Sequence, residues 1–170
     1  MKSPSAAAFF LLSLAALLLG GCGFQLRGTA TLPFDTLFVQ AAPTSQFATQ
    51  FKRAVTSGSS TRVVGVQKDA AATLVLLNEL REKIILSLSG TGRVRECQLR
   101  YRVAYRLIDQ KGAEMSPPAE IVLNRDFSFN DSETLSKESE ETLLFRDMQA
   151  DAIQQLLRRL QAAKLHQPQS

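Results

Sequence analysis

The chain has 170 residues with two Cys and one His, and 20 Lys and Arg against 16 Asp and Glu leave a formal charge of +4. That length supports one ordinary domain with its own core, and so few Cys and His exclude a disulfide-rich scaffold or a four-Cys zinc site. The only His, His166, sits in a Pro- and Gln-containing tail, which argues against chemistry built on a firmly held imidazole. The scattered +4 makes no case for nucleic acid.

Lys2 is the only charge before Arg27, and residues 6–19 are apolar apart from Ser13. The run is shorter than the roughly 20 residues that span a bilayer and has the length of a signal-peptide core. It ends in Leu19-Gly20-Gly21-Cys22. Two small residues leave an extended backbone for a peptidase to grip, and the next residue supplies a thiol. This resembles a bacterial lipobox, whose cleavage leaves a lipid-modified Cys22 at the mature N-terminus. By the same analogy, Gly23 in place of Asp directs the product to an outer membrane. Residues 1–21 are therefore expected to be a lipoprotein signal and residues 22–35 a lipidated tether.

Residues 36–41 read as a short strand closed by Pro43. Residues 45–57 read as a helix, with Phe47, Phe51, Ala54 and Val55 on one face and Gly58 as a stop. Residues 62–67 form a further β-type run, so the three segments suggest a parallel crossover. Leu74, Leu76, Leu80, Ile84, Leu86 and Leu88 then share one parity. After Gly90-Thr91-Gly92, Cys97, Leu99, Tyr101, Val103, Tyr105 and Leu107 share another. Residues 73–109 are thus predicted to form one long hairpin whose arms reach roughly 50 Å. Such a length calls for a bend or bulge near residues 78–83 and a tip that projects beyond the helices.

Gln110-Lys111-Gly112 predicts a turn, Pro117-Pro118 a stiffened exit, and residues 120–129 a strand in which Arg125 requires a bulge, a partner or an interface. Residues 136–163 are predicted to be helical, with Leu144, Met148, Ala152, Leu156 and Leu160 on one stripe. Its acids near the start and bases near the end suit the helix dipole. The expected fold is α+β: two helices packed on one face of a mixed four- to five-stranded sheet with a long β-hairpin. The domain is expected over residues 36–165, with a flexible tail at 166–170.

Little supports catalysis. GxSxG, HExxH and Walker-type motifs are absent, and Gly90-Thr91-Gly92 precedes a strand, not the helix a phosphate loop needs. Glu79 with Glu82 and Glu140 with Glu141 read as surface charges. Cys97 reads as a small core residue, with no His placed to activate it. The chain is read as a binding or structural protein with no cofactor and no metal. Five Arg and one acid lie between residues 93 and 106. Arg93 and Arg95 flank the hairpin tip, and Arg100, Arg102 and Arg106 lie on the polar face of the strand. Guanidinium forks suit phosphates and carboxylates. For any single Arg the plainer expectation is an ion pair with Asp126, Glu79 or Glu82. Together, on a lipoprotein, they point to an anionic partner such as lipopolysaccharide (LPS) and not to nucleic acid.

Several segments, in this order, resemble the LPS-assembly lipoprotein LptE (RlpB) family. They are Cys22-Gly23-Phe24-Gln25-Leu26-Arg27, Glu96-Cys97-Gln98-Leu99, Arg125, Leu135-Ser136-Lys137-Glu138, Asp147-Met148, and Leu156-Leu157-Arg158-Arg159-Leu160. The resemblance implies two helices on a sheet. It also implies a protein that plugs LptD, a large outer-membrane β-barrel, helps that barrel assemble and binds LPS during delivery to the outer leaflet. Lipid on Cys22 then anchors the chain to the membrane on the periplasmic side. Basic residues near the hairpin tip and at the start of the last helix are implied in LPS binding. The second is Lys137; at the first, Gly90 stands where a base is implied, and Arg93 and Arg95 follow it. The alternative is a generic periplasm-facing lipoprotein adaptor for cell-envelope assembly.

Overall fold

A computed structural model describes residues 31–128 and 134–163. The signal segment, Cys22, the polar junction after residue 128 and the tail from residue 164 lie outside the described residues. In chain order the elements are β1 (Thr36–Gln40), α1 (Gln46–Gly58), β2 (Arg62–Val63), a 3-10 turn (Gln67–Asp69), β3 (Ala72–Leu88), β4 (Val94–Asp109), β5 (Glu114–Ser128) and α2 (Thr134–Ala162). The strands make one mixed sheet in the order β2-β1-β3-β4-β5. β1 runs parallel to β2 and β3, and the β3-β4-β5 meander is antiparallel. This is the α+β architecture expected, with five strands.

The core lies between one sheet face and the two helices. β4 runs through its middle, with Cys97, Leu99, Tyr101, Val103, Tyr105 and Leu107 all buried on the helix side. α1 contributes Phe47, Ala48, Phe51 and Val55, and α2 contributes Met148, Ala152, Leu156 and Leu160. Full burial of such side chains stabilises by about 1.5–3 kcal/mol each. Ser45 caps α1 by accepting a hydrogen bond from the Ala48 N–H at 3.1 Å, which satisfies one orphan donor of the first turn. Leu32 and Phe34, placed in the tether by sequence, pack into this core, and Thr61 Oγ1 donates to the Phe34 carbonyl at 2.8 Å.

The long hairpin forms as expected, and its bulge decides what faces the helices. The β3–β4 register slips between Leu76 and Asn78. Before the slip, Leu74 and Leu76 lie opposite Leu107 and Tyr105; after it, Glu79, Arg81, Lys83 and Ile85 lie opposite Val103, Tyr101, Leu99 and Cys97. An extra residue in one strand turns the side chains that follow over, here as far as Ile85, beyond which the register shifts again between Ile85 and Ser87 and between Ser87 and Leu88. Leu80 and Ile84, read from sequence as continuing the leucine face, therefore sit on the opposite side of the sheet from Leu74.

The other differences are in strand length. The run at residues 62–67 shortens to a two-residue β2, whereas β5 begins at Glu114 and not at Glu120. Pro117 and Pro118 lie inside β5 where its register with β4 shifts between Tyr105 and Leu107. An edge strand tolerates missing N–H donors at such an irregularity. Two guanidinium groups also donate to carbonyl oxygens of this edge strand: Arg159 Nη1 to Glu120 at 2.8 Å and Arg125 Nη1 to Asn124 at 3.1 Å.

Candidate functional site

Because of the β3 bulge, charged side chains enter the space beneath the helices. Glu79 is held there by Tyr101, whose hydroxyl donates to Oε1 at 2.8 Å, and by Ser45, whose hydroxyl donates to Oε2 at 3.2 Å. Glu79 is thus a bracket joining the hairpin to the first turn of α1, not the surface charge expected from sequence. Burial and the adjacent Glu79 carboxylate push the Tyr101 hydroxyl far above its ordinary value, so it remains a donor. Arg81 lies between the rings of Tyr101 and Phe145, 5.7 and 5.8 Å from their centroids. It donates to Oε1 of the buried Gln149 at 2.7 Å, which ties β3 to α2. These contacts hold the hairpin arm at a set angle to the helices.

Further along the hairpin, the ring of Phe127 gathers a second set. Lys83 Nζ and Lys137 Nζ lie 5.5 and 5.3 Å from its centroid. Lys83 pairs with Glu141, and Lys137 pairs with Glu140 at 2.7 Å. Lys137 is only 14% exposed along its side chain, so its stem is buried while its ammonium stays with a carboxylate. The Lys137–Glu140 contact is an i,i+3 ion pair within the first turns of α2. Arg125 also has its partner, since Nη2 meets Asp151 Oδ2 of α2 at 2.9 Å.

The hairpin tip carries the other two expected residues. Ser89 and Arg93 close the turn through a 2.7 Å backbone bond, and Gly92 takes the positive φ of 78° that the turn requires. Arg93 and Arg95 are exposed there. Arg95 is two residues from Cys97, the register partner of Phe127, so the strand path leads from the tip to the Lys137 cluster. The structure brings Lys137 together with Lys83, which the sequence reading does not single out: it expects a bend or bulge near residues 78–83 but not that the slip turns Lys83 toward the helices. The pairing of Lys83 with Arg81 and Ile85 in period two was the available signal.

The remaining arginines of the cluster lie on the sheet face away from the helices. Three rows cross it: Leu80, Arg102 and Val122; Glu82, Arg100 and Asn124; Ile84, Gln98 and Asp126. Arg102 reaches Glu120 at 2.8 Å and Glu82 at 3.9 Å, Arg100 donates to Asn124 at 3.2 Å, and Gln98 donates to Asp126 at 3.2 Å. Aliphatic and hydrogen-bonded polar groups thus alternate on a face that neither helix covers.

Cys97 is a free thiol, fully buried, with Sγ 3.4 Å from the Phe127 carbonyl. Burial raises its pKa, with Glu141 adding to the rise and Lys83 opposing it. The thiolate is the reactive form. A maleimide or disulfide reagent at pH 7 is therefore expected to label Cys97 at least about tenfold more slowly in the folded chain than in urea. Equal rates would place the thiol at the surface. The sign for stability follows: the raised thiol pKa contributes nothing adverse below its ordinary value, and stability falls as pH rises through and beyond that value.

Comparison with known proteins places this geometry. The family model described as LptE, lipopolysaccharide-assembly, matches residues 34–160. The chain is 29% identical over 153 residues to the LPS-assembly lipoprotein LptE of Photorhabdus laumondii, covering 88% of this chain and 82% of that one. It has the same identity, over 73% of the other chain, to the protein of that name from Yersinia pestis strain Pestoides F. Among solved structures it resembles lipoprotein B of Nitrosomonas europaea, with a TM-score of 0.73 at 40% identity over 82% of this chain and 91% of that one. It also resembles the rare lipoprotein B of Shewanella oneidensis, with a TM-score of 0.63 at 25% identity over 75% and 94%. With the same helix-backed sheet, and a family match that runs from the buried Phe34 to the last core residue of α2, Leu160, this chain belongs to the LptE family of lipopolysaccharide-assembly lipoproteins.

Proposed function

We propose that the chain is lipid-anchored through Cys22 at the periplasmic side of the outer membrane, plugs and helps assemble an LptD-type β-barrel, and binds LPS during its delivery to the outer leaflet. The observation that carries the plug reading is the uncovered sheet face. Its rows of Leu80, Arg102 and Val122, and of Glu82, Arg100 and Asn124, suit a barrel lumen, whose wall is polar. Arg100 and Arg102 are already oriented by neighbours, so little of their side-chain freedom is lost on docking. Arg93, Arg95 and Lys137 are the proposed LPS-binding residues. As a protein that positions other molecules, the chain acts without catalysis.

Affinity purification of the full chain from detergent-solubilised outer membranes is expected to recover a large β-barrel in fixed proportion. Arg100→Glu with Arg102→Glu, which reverses the centre of the sheet face, is expected to cut that recovery at least about tenfold while the circular dichroism of the folded chain is retained. Recovery of the barrel-free chain from wild-type membranes would overturn the plug reading in favour of a generic periplasm-facing adaptor that uses the same face.

A further inference from the structure

Two ammonium groups share the Phe127 ring, and with Nζ atoms 5.5 and 5.3 Å from its centroid they lie within about 11 Å of each other. Each has a carboxylate of its own, and the two carboxylates are consecutive residues of α2: Glu141 for Lys83 and Glu140 for Lys137. An ammonium has three donors, while a carboxylate offers two oxygens and one charge. A phosphate offers three oxygens and about 1.5 to 2 negative charges, so it is the stronger partner for the same cation.

Beside these cations the hairpin arm is apolar and open. Ile85, Leu86 and Leu88 are each 55–56% exposed. Ile85 lies opposite Cys97 on one side, and Phe127 lies opposite Cys97 on the other, so Ile85 and the shared ring occupy one row of the sheet. A cleft of about 360 Å³ adjoins them, lined by Leu86, Glu96, Cys97, Asp126, Phe127 and Ser128. Free phosphate has no use for exposed aliphatic side chains; a phosphorylated amphiphile uses both halves of this surface.

We propose that Glu140 and Glu141 are exchangeable counter-ions that keep Lys137 and Lys83 in place over Phe127 and give them up to the phosphates of an amphiphile, whose chains lie along Ile85 and Leu86. This rests on the LPS-binding reading and adds to it a second lysine and an internal competitor. The carboxylates keep the lysines from scattering into solvent and, being anions, oppose the ligand. Removing them therefore strengthens binding, whereas removing Lys83 weakens it.

The test uses the full chain in detergent with three probes: LPS, LPS stripped of phosphate, and inorganic pyrophosphate. Glu140→Gln with Glu141→Gln is expected to bind intact LPS about three- to tenfold more tightly, and Lys83→Gln about three- to tenfold more weakly. Lys83→Arg, which keeps the charge, is expected to retain wild-type affinity, and no variant is expected to change binding of the phosphate-free form. If wild type binds LPS and both Gln variants match it, the counter-ion proposal falls and LPS binding stands. If wild type binds no LPS, both fall. Displacement of LPS by an equal concentration of pyrophosphate would overturn the amphiphile assignment.

Discussion

Phe51→Ala is expected to destabilise the domain by about 3–5 kcal/mol, the range for truncating a fully buried aromatic. Phe51 has no exposed surface and sits at the middle of α1, with its ring parallel to that of Phe47 at a centroid distance of 6.3 Å. α1 has 13 residues, a length at which an isolated helix is marginal, so its helical state depends on the face it buries. The Ser45 cap contributes about 1 kcal/mol and does not compensate. Urea unfolding followed by circular dichroism is expected to show a lower midpoint with an unchanged slope, and the melting temperature is expected to fall by roughly 10–20 °C. Phe51→Leu, which leaves a smaller void, is expected to cost about 1–1.5 kcal/mol. An Ala variant less than about 1.5 kcal/mol below wild type would mean that α1 does not seal the core.

Arg93→Asp combined with Lys137→Asp is expected to lower affinity for LPS by at least about a hundredfold, since each lost charge-assisted contact is worth about 1.5–3 kcal/mol. The two substitutions act by different routes. Arg93 is exposed at the turn, where reversal replaces a donor fork with a repelling carboxylate. At Lys137 the new carboxylate joins Glu140 and Glu141 beside Phe127, so repulsion is added to the loss of the cation. Lys137→Met keeps the buried stem and separates the two contributions: it is expected to weaken binding by about tenfold. Equilibrium binding to immobilised LPS, with circular dichroism as the check on folding, measures both. Unchanged affinity in the doubly reversed chain would remove these residues from the site.

The parts of this molecule that were legible in its sequence are those in which one period persists. β4 alternates without interruption from Cys97 to Leu107, and the α2 stripe repeats from Met148 to Leu160; both faces are buried as the pattern requires. The hairpin followed from these runs and the glycines between them. What escaped was the consequence of one extra residue. The even-numbered leucines of β3 look continuous on paper, but the slip at Leu76–Asn78 divides them between two faces. The length of the arm called for a bend or bulge near residues 78–83, and the slip adjoins that window, but period two does not say which side chains it turns over, since that is set by the partner strand. The same slip hid the inward role of Glu79, which reads from sequence as a surface charge, and it turns Lys83, which the sequence reading does not single out, toward the helices. Arg125 was readable as an anomaly, yet its partner Asp151 lies 26 residues away on a helix. Lys137 and its pairing with Glu140 were local, within one helical turn, and so were accessible.

Among the described residues β5 has one neighbour in the sheet, and its 15 residues offer an edge on which an extended peptide can dock. Arg159 and Arg125 occupy carbonyl oxygens of that strand, at Glu120 and Asn124, and the adjacent prolines at 117 and 118 supply no donors of their own. An incoming strand must displace two guanidinium groups before it can zip up, one of them also bound to Asp151. The barrier falls on nucleation, the slow step in templated aggregation, and not on the folded state itself. A chain so equipped can be crowded beside others of its kind and still keep the described sheet to five strands.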